Sequence, residues 1–248
     1  MRIRLLALGG IWLAGALACA GTAAAEQRNT ITLQVELRAA GSSKASAPPK
    51  AKDFSNVVVW LKPLDSSAAT ALEPAKQHPK LVQKNKTFEP HLVVVTVGST
   101  VDFPNHDPFF HNVFSVFDGK RFDLGLYEAG TANSVRFDKP GISFLFCNIH
   151  PEMNAVVVAL DTPYFGASNK VGAVSIPDVP DGRYELHVWY ERSSSESLRH
   201  LTRTVEVSSS HSELGTVVVP ESQEPAAQHK NLYGQDYAPP PPDTYTSH

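Results

Sequence analysis

The sequence contains little sulfur. Among 248 residues it has two cysteines and two methionines, and one of the methionines is Met1. Cys19 lies in an apolar N-terminal stretch, so a chain processed beyond that point keeps Cys147 as its single thiol. A secreted domain held together by disulfides needs paired cysteines, so that class of protein is excluded. Three roles remain for the lone thiol of Cys147: an intermolecular disulfide, a reactive group or a metal ligand.

The sequence also lacks long amphipathic helical patterns. Short segments rich in Val, Ile, Phe and Tyr are separated by Gly, Pro, Asn and Asp, a pattern typical of β-sandwiches and barrels. In TITLQVEL (30–37) apolar and polar residues alternate, which predicts a strand with one buried face. The tail from Glu221 onward has four consecutive prolines and no apolar periodicity, which predicts a disordered or polyproline tail. We therefore expect an all-β protein.

The N-terminal segment has the layout of a secretory signal peptide. Arg2 and Arg4 precede an apolar run, and small residues follow it before Glu26. We expect cleavage after Ala25 and export to the periplasm, with lipid modification at Cys19 as an alternative. The apolar run is too short to predict a transmembrane span.

Basic residues do not outnumber acidic ones either. The chain has 22 Lys and Arg against 25 Asp and Glu, a net charge of −3. Removal of residues 1–25 leaves 20 against 25, a net charge of −5. A mildly acidic chain of this kind has no nucleic-acid footprint, so we expect no nucleic-acid partner.

The segment FLFCNIHPEM (144–153) puts Cys147, His150 and Met153 at intervals of three residues. A thiolate, imidazoles and a thioether suit copper, and two histidines, one cysteine and a weak axial methionine form the blue-copper electron-transfer site. The second histidine must then come from a different strand. Of the candidates His106 and His111 we favour His111, because HNVFSVF looks like the start of a strand, whereas His106 lies in a polar NHDP turn.

The stretches VGSTVDFPNHDPFFHNVFS, FDLGLYEAG and FDKPGISFLFCNIHPEMNAVVVALDTPYF together resemble the cupredoxins, and most closely the plastocyanin-like proteins known as methylamine-utilisation proteins. The resemblance runs from about Phe88 to Phe165, about a third of the chain. The short ligand loop is similar to that of amicyanin. The resemblance implies a Greek-key β-sandwich with one type 1 copper site that alternates between Cu(II) and Cu(I).

The same resemblance assigns the ligands. It implies that His111, Cys147 and His150 are equatorial and Met153 axial. It also implies that Asn112 ties the two ligand-bearing loops together by hydrogen bonds. Glu152 departs from the family, which often keeps this loop apolar, and the departure bears on the surface where a redox partner would dock.

The segments on either side of this region carry a second resemblance. VGAVSIPDVPDGRYELHVWYE and HLTRTVEVSSS resemble the closing half of a carboxypeptidase-regulatory or transthyretin-like β-sandwich, and TITLQVEL and NVVVWLKPL resemble its opening half. This implies that the cupredoxin is inserted in, or packed beside, a second sandwich. The expected organisation is a signal peptide (1–25), the first half of the flanking sandwich (26–64), a connecting loop (65–87), the cupredoxin domain (88–162), the second half of the flanking sandwich (163–220) and a disordered tail (221–248).

The resemblance implies a one-electron carrier between redox proteins, without enzymatic activity, in which the electron leaves through the ring edge of His150. Copper delivery and a binding module with structural copper are the alternatives. Copper storage requires many thiols or methionines, and the processed chain has one of each. A copper oxidase or nitrite reductase requires a further copper centre, often with His-x-His pairs, and the sequence has no such pair.

The remaining candidate residues are expected to serve packing or solvation. The aromatic residues that flank His111 should pack around the site and keep it dry: Phe109, Phe110 and Phe114. Other polar residues are expected to be solvated or hydrogen-bonded without a metal: His91, His106, His187 and Glu128.

Overall fold

The computed structural model describes residues 27–39, 53–65, 72, 78–116, 119–222 and 230–237. The expected signal peptide, 1–25, lies outside these residues, as does most of the expected connection between 65 and 77. Within the described part, nearly all regular structure is β-strand, so the predicted all-β class is confirmed.

The described residues contain sixteen strands and one short helix. In chain order these are β1 (Arg28–Ala39), β2 (Val58–Pro63), β3 (Val82–Lys84), β4 (Thr87–Glu89), β5 (Leu92–Thr96), β6 (Thr100–Pro104), β7 (His111–Ser115), β8 (Phe122–Tyr127), β9 (Ala132–Arg136), β10 (Gly141–Phe146), β11 (Asn154–Leu160), β12 (Phe165–Ala167), β13 (Ala173–Pro180), β14 (Gly182–Trp189), α1 (Ser195–Arg199), β15 (Arg203–Val207) and β16 (Glu213–Glu221).

The middle of the chain forms one sandwich, which we call the central unit (78–160). Its larger sheet has the order β5-β11-β10-β7-β8, with β5 parallel to β11 and the other pairs antiparallel. The β6-β9 ladder packs against this sheet, and the β3-β4 hairpin bridges to β6 at Lys80↔Asp102 and continues to Gln83↔Asn105. The hairpin overlaps the segment expected as a connecting loop (65–87), which therefore contains a short strand and the start of its partner. Its strands are only three residues long, too short for an apolar periodicity.

The two ends of the chain meet in a second pair of sheets, which we call the flanking unit. One sheet has the order β13-β1-β16 and the other β12-β2-β14-β15, so strands from before and after the central unit pair with each other. The buried residues of β1 are Ile31, Leu33, Val35 and Leu37, as the alternation predicts. The chain leaves β2 and returns in β12, and these two strands are themselves paired.

A single strand joins the apolar cores of the two units. On β11, Ala155, Val157 and Ala159 belong to the core of the central unit. The alternate residues Val156, Val158 and Leu160 belong to the core of the flanking unit. Successive side chains of a strand point to opposite faces, so the uninterrupted apolar run in NAVVVAL is explained by burial on both sides.

Contacts between rings and charges cross the same junction. Phe144 of β10 meets Trp189 of β14 edge to face, with ring centroids 6.4 Å apart. His91, just before β5, lies 2.6 Å from the carboxylate of Glu191. The larger sheet of the central unit is therefore covered on its outer face by the flanking unit, while its inner face is covered by β6 and β9.

Candidate metal centre

The loop between β10 and β11 carries three of the predicted ligands. The two strands pair up to Phe146↔Asn154, so residues 147–153 close a hairpin at one end of the sheet. Within the loop the amide of Cys147 donates to the carbonyl of Met153 at 3.3 Å, and the amide of Met153 donates to the carbonyl of His150 at 3.1 Å. The side chains of Cys147 and Met153 are fully buried.

His111 approaches this loop from the neighbouring strand. It is the first residue of β7, which pairs with β10 at Phe146↔Phe114, and its side chain is fully buried. The Nδ1 atoms of His111 and His150 lie 3.8 Å and 3.6 Å from the Sγ atom of Cys147. The three donor atoms lie within 4.8 Å of one another, an arrangement that could hold a metal ion.

A buried carboxylate, which the sequence analysis missed, orients His111. The Nε2 atom of His111 lies 2.7 Å from Oδ2 of Asp107, so the ring donates its Nε2 proton there and keeps the lone pair of Nδ1 facing Cys147. Burial alone would raise the pKa of Asp107, but hydrogen bonds from the amide of Lys86, the ring of His111 and the amide of Asn85 lower the pKa below its ordinary value. A carboxylate behind a ligand histidine fixes its tautomer and ring orientation.

The β3-β4 hairpin supplies two of those hydrogen bonds. At its tip, Asn85 and Lys86 both have a positive φ of 54°, and their amides donate to the Asp107 carboxylate at 2.6 Å and 2.9 Å. Asn105 holds the other side of the turn, since its side chain accepts from the amide of Asp107 and donates to the carbonyl of Phe109. The segment that the sequence analysis treated as a connection therefore supports a candidate ligand.

Asn112 differs from the role that the resemblance implied. Its side-chain amide donates to Oδ1 of Asp123 at 2.7 Å and to the carbonyl of Gly125 at 3.0 Å, so the side chain ties β7 to β8 rather than to the loop that carries Cys147. Contact with that loop comes from the main chain instead. Burial raises the pKa of the Cys147 thiol, and hydrogen bonds from the main-chain amides of Asn112, Ile149 and His150 oppose part of that rise.

Of the four predicted ligands, only His150 is not fully buried. Burial and the neighbouring His111 lower the pKa of His150, so its ring is neutral at neutral pH. Phe109 contacts the rings of both His111 and His150, at centroid distances of 5.2 Å and 5.7 Å.

The expectation that all three neighbouring aromatic residues pack around the site is partly wrong. Phe114 is buried and Phe109 half-buried, but the side chain of Phe110 is 55 % exposed, as is 45 % of Ile149. Phe110 immediately precedes β7 and points away from the core. Each ligand-bearing segment therefore has an exposed apolar side chain directly before a candidate ligand histidine: Phe110 before His111 and Ile149 before His150.

The C-terminal tail also reaches the ligand loop. Residues 230–237 are described, and two of them hydrogen-bond to Cys147 and Asn148. Within the segment expected to be disordered, 221–248, the structure describes the end of β16 and residues 230–237. The contacts use one main-chain amide and one tyrosine hydroxyl, which leave no periodic signal in the sequence.

The other histidines and the acidic candidate lie elsewhere. His91 pairs with Glu191, His187 stacks on Trp60, and the side chains of His106 and Glu128 are exposed. Among the residues that the structure describes, His111, Cys147 and His150 are the one group of His, Cys, Asp or Glu able to hold a metal ion. In the described ranges there is also no helix whose length and apolar character would let it cross a membrane.

No family model matches the chain, and no curated protein matches its sequence. Among solved structures it is similar to a copper-containing nitrite reductase from Thermus scotoductus, with 26 % identity over 41 % of this chain and 26 % of that one and a TM-score of 0.34. It is also similar to a purple cupredoxin from Nitrosopumilus maritimus, with 21 % identity over 33 % of this chain and 99 % of that one and a TM-score of 0.30. A third is a reduced tryptophan-to-tyrosine mutant of amicyanin, with 25 % identity over 36 % and 87 % of the two chains and a TM-score of 0.32.

The chain spans about a quarter of the nitrite reductase that it matches. All three TM-scores are low, and the fold assignment rests on the sheet order and on the His111, Cys147 and His150 cluster at one end of the sandwich. The central unit is an all-β sandwich with the His111, Cys147 and His150 cluster at one end, as the resemblance to the cupredoxins implied. This confirms the predicted sandwich for the middle of the chain, while the transthyretin-like identity of the flanking unit stays a prediction.

Proposed function

We propose that the chain is an exported type 1 copper protein that carries one electron at a time between redox proteins. The observation that carries this proposal is the approach of two imidazole Nδ1 atoms to 3.8 Å and 3.6 Å from a buried cysteine sulfur, with Met153 on the same loop. A donor set of two imidazoles, one thiolate and one thioether is the one that blue-copper sites use.

The protonation states of the donors fit a bound copper ion. Asp107 accepts the Nε2 proton of His111, and the ring of His150 is neutral, so both Nδ1 atoms can offer a lone pair. The thiol of Cys147 is protonated in the metal-free chain because burial raises its pKa, and it would release that proton on binding. Copper affinity should therefore rise with pH.

Copper bound there would supply one-electron chemistry by alternating between Cu(II) and Cu(I). The chain would hold His111, Cys147 and Met153 in place and keep water away from them, because all three are buried on a packed sandwich. His150 is half-buried and follows the exposed Ile149, so it offers an edge that a redox protein could approach. Transient redox encounters bury little area, so a small apolar patch suffices.

The signal-peptide pattern at residues 1–25 supports a periplasmic location and partners that are redox proteins of that compartment. The site's chemistry supports a carrier rather than an enzyme, since the sequence has no His-x-His pair for a further copper centre.

We also propose that the cupredoxin domain is inserted into a flanking sandwich formed by 26–64 and 163–220. The pairing of β2 with β12, where the chain leaves and re-enters the flanking unit, supports this organisation.

The test is titration of the chain from Glu26 with Cu(II), followed by visible and paramagnetic-resonance spectra and voltammetry. We expect an intense thiolate-to-copper band that saturates at one copper per chain, together with a reversible one-electron wave. Cys147→Ser should abolish the band completely, while Ser143→Ala, which changes a buried residue of the preceding strand, should leave it in place. A Cys147→Ser protein that binds copper with an unchanged spectrum contradicts the ligand assignment.

Two other results would favour the alternatives. Copper that binds with the band but exchanges freely with a soluble chelator indicates delivery. Copper that binds with the band but gives no voltammetric wave indicates a structural role, with the flanking unit as a binding module.

A further inference from the structure

The C-terminal segment 230–237, which we call the tail clip, is closed by its own hydrogen bonds. Oδ1 of Asn231 accepts from the amides of Tyr233 and Gln235, both at 2.9 Å, and the amide of Asn231 donates to the carbonyl of Gln235 at 2.9 Å. Gly234 completes the turn with a φ of +75°, and Lys230 pairs with Asp236 at 3.0 Å. Short Asn-centred turns of this kind hold their own shape.

The tail clip contacts the ligand loop at two consecutive residues. The amide of Leu232 donates to Oδ1 of Asn148 at 2.9 Å, and the hydroxyl of Tyr237 donates to the carbonyl of Cys147 at 2.9 Å. Leu232 and Tyr237 lie five residues apart, one in the turn and the other at the end of the described segment, and both are half-buried. Two linked contacts hold more firmly than either alone, because the second forms at a high effective concentration.

These contacts act outside the regular β-ladder. Between Cys147 and His150 the chain leaves the β10-β11 ladder, and within the loop main-chain bonds link Cys147, His150 and Met153, while the amides of Ile149 and His150 donate to the Cys147 sulfur. The carbonyl of Cys147 has no ladder partner at that point, and a buried carbonyl without a hydrogen-bond donor is costly. The Tyr237 hydroxyl supplies that donor.

We infer that the tail clip is a built-in strap that holds the loop 147–150 in its metal-ready shape, with Tyr237 as its positioning residue. The inference rests on the proposed copper site for its functional meaning, since the strap would slow the opening of the loop through which copper leaves. The contacts themselves belong to the metal-free chain and can be tested there.

The experiment compares Tyr237→Phe with Tyr233→Phe in the full chain from Glu26. Both variants remove one tyrosine hydroxyl from the same segment, but the side chain of Tyr233 is 74 % exposed and only its main-chain amide is bonded within the clip. The first readout, in the copper-free protein, is hydrogen exchange and the NMR signals of Asn148 and Leu232. The second, in the copper-loaded protein, is the rate at which EDTA removes Cu(II), together with the position of the thiolate-to-copper band.

With Tyr237→Phe we expect the signals of Asn148 and Leu232 to move and their exchange to accelerate. Copper removal should become about fivefold faster, the change that loss of one neutral hydrogen bond gives. Tyr233→Phe should match the parent chain in every readout. Equal behaviour of the two variants in both readouts overturns the inference.

The same measurements distinguish a failure of the proposed copper site from a failure of the strap. If the parent chain binds no copper with a thiolate band, the proposed function fails, while the copper-free readout still decides on the strap. If copper binds as proposed but Tyr237→Phe changes neither the NMR signals nor the removal rate, the strap fails and the copper site stands.

Discussion

The two apolar cores that share β11 differ in what they bury. The core of the flanking unit is built from aliphatic residues and aromatic pairs, such as Tyr164 against Tyr184 with centroids 5.7 Å apart. The ligand end of the central unit buries Asn105, Asp107, His111 and Asn112 besides a thiol and a thioether. Buried polar groups stabilise a fold only when each finds a partner. The central unit therefore concentrates buried polar groups around the candidate ligands, whereas the core of the flanking unit is mostly apolar.

The substitution with the largest expected effect removes the Asp107 carboxylate, which hydrogen-bonds to His111. Asp107→Ala leaves the amides of Asn85 and Lys86 and the ring of His111 without their acceptor. We expect the free energy of unfolding of the copper-free chain to fall by about 3 kcal/mol, about 1 kcal/mol for each of the three donors that lose their acceptor. Copper affinity should fall by about tenfold to a hundredfold, because the ring loses its orienting partner.

Urea denaturation and copper titration measure these two effects. Asp102→Ala is the matched control, since Asp102 also bonds a histidine and a serine but at the surface. It should change stability by less than about 1 kcal/mol and leave copper affinity unchanged. Equal effects of the two substitutions would contradict the role given to Asp107.

The second test uses the two faces of β11. Val157→Ala and Val158→Ala remove the same methyl groups from adjacent, equally buried residues, one in each core. Each should lower the free energy of unfolding by about 2–3 kcal/mol. Only Val157→Ala should weaken copper binding, because its face packs with Cys147 and Met153. A loss of copper affinity in Val158→Ala of the same size would show that the two cores do not divide the work in this way.

A smaller effect is expected at the axial position. Met153→Leu keeps the volume of a fully buried side chain, so the stability loss should stay below about 1.5 kcal/mol. The thioether that favours the oxidised ion is lost, so copper should remain bound with a higher reduction potential in voltammetry. Leu145→Met, in the same core, is the reverse control and should leave the potential unchanged. A Met153→Leu protein with the parent's potential would exclude Met153 as a ligand.

The smallest effect concerns the ion pair between the two units. The hydrogen bond that the ring of His91 donates to the Glu191 carboxylate raises the pKa of His91 above 6.5, against the opposing effect of burial. The pair therefore contributes fully below pH 6.5 and loses its contribution as pH rises through the raised pKa. Side chains 36 % and 29 % exposed are screened by solvent, so the contribution should be below about 1 kcal/mol.

Denaturation of the copper-free chain at a series of pH values measures this pH dependence. Glu191→Gln should remove the part of the slope that lies above pH 6.5. The same slope in the parent chain and in Glu191→Gln would assign the pH dependence to another group.

The features that the sequence predicts well are those with local signals. The alternation in β1 and the three-residue spacing of Cys147, His150 and Met153 lie within short stretches, and the structure bears out the strand and brings the donors of His111, Cys147 and His150 together. Asp107 was missed because its donors come from the β3-β4 hairpin, about 20 residues earlier in the chain. A carboxylate four residues before a candidate ligand histidine is the signal that could have found it.

The contact of the tail with the ligand loop and the side-chain partners of Asn112 were not predicted, for a different reason. The tail clip is held by an amide and a hydroxyl, and such contacts depend on where a distant loop lies in space. The side chain of Asn112 has two possible neighbours, the ligand loop and β8, and only the register of β7 against β8 decides between them.

Because β11 belongs to both cores, the central unit should be less soluble when it is separated from the flanking unit. Expression of the central unit alone would uncover Val156, Val158 and Leu160 together with Phe144, a continuous apolar strip on a sheet face. Exposed strips of this kind promote self-association and precipitation. The flanking unit therefore keeps this strip of the central unit out of water, and a soluble excised domain would need the strip replaced by polar residues.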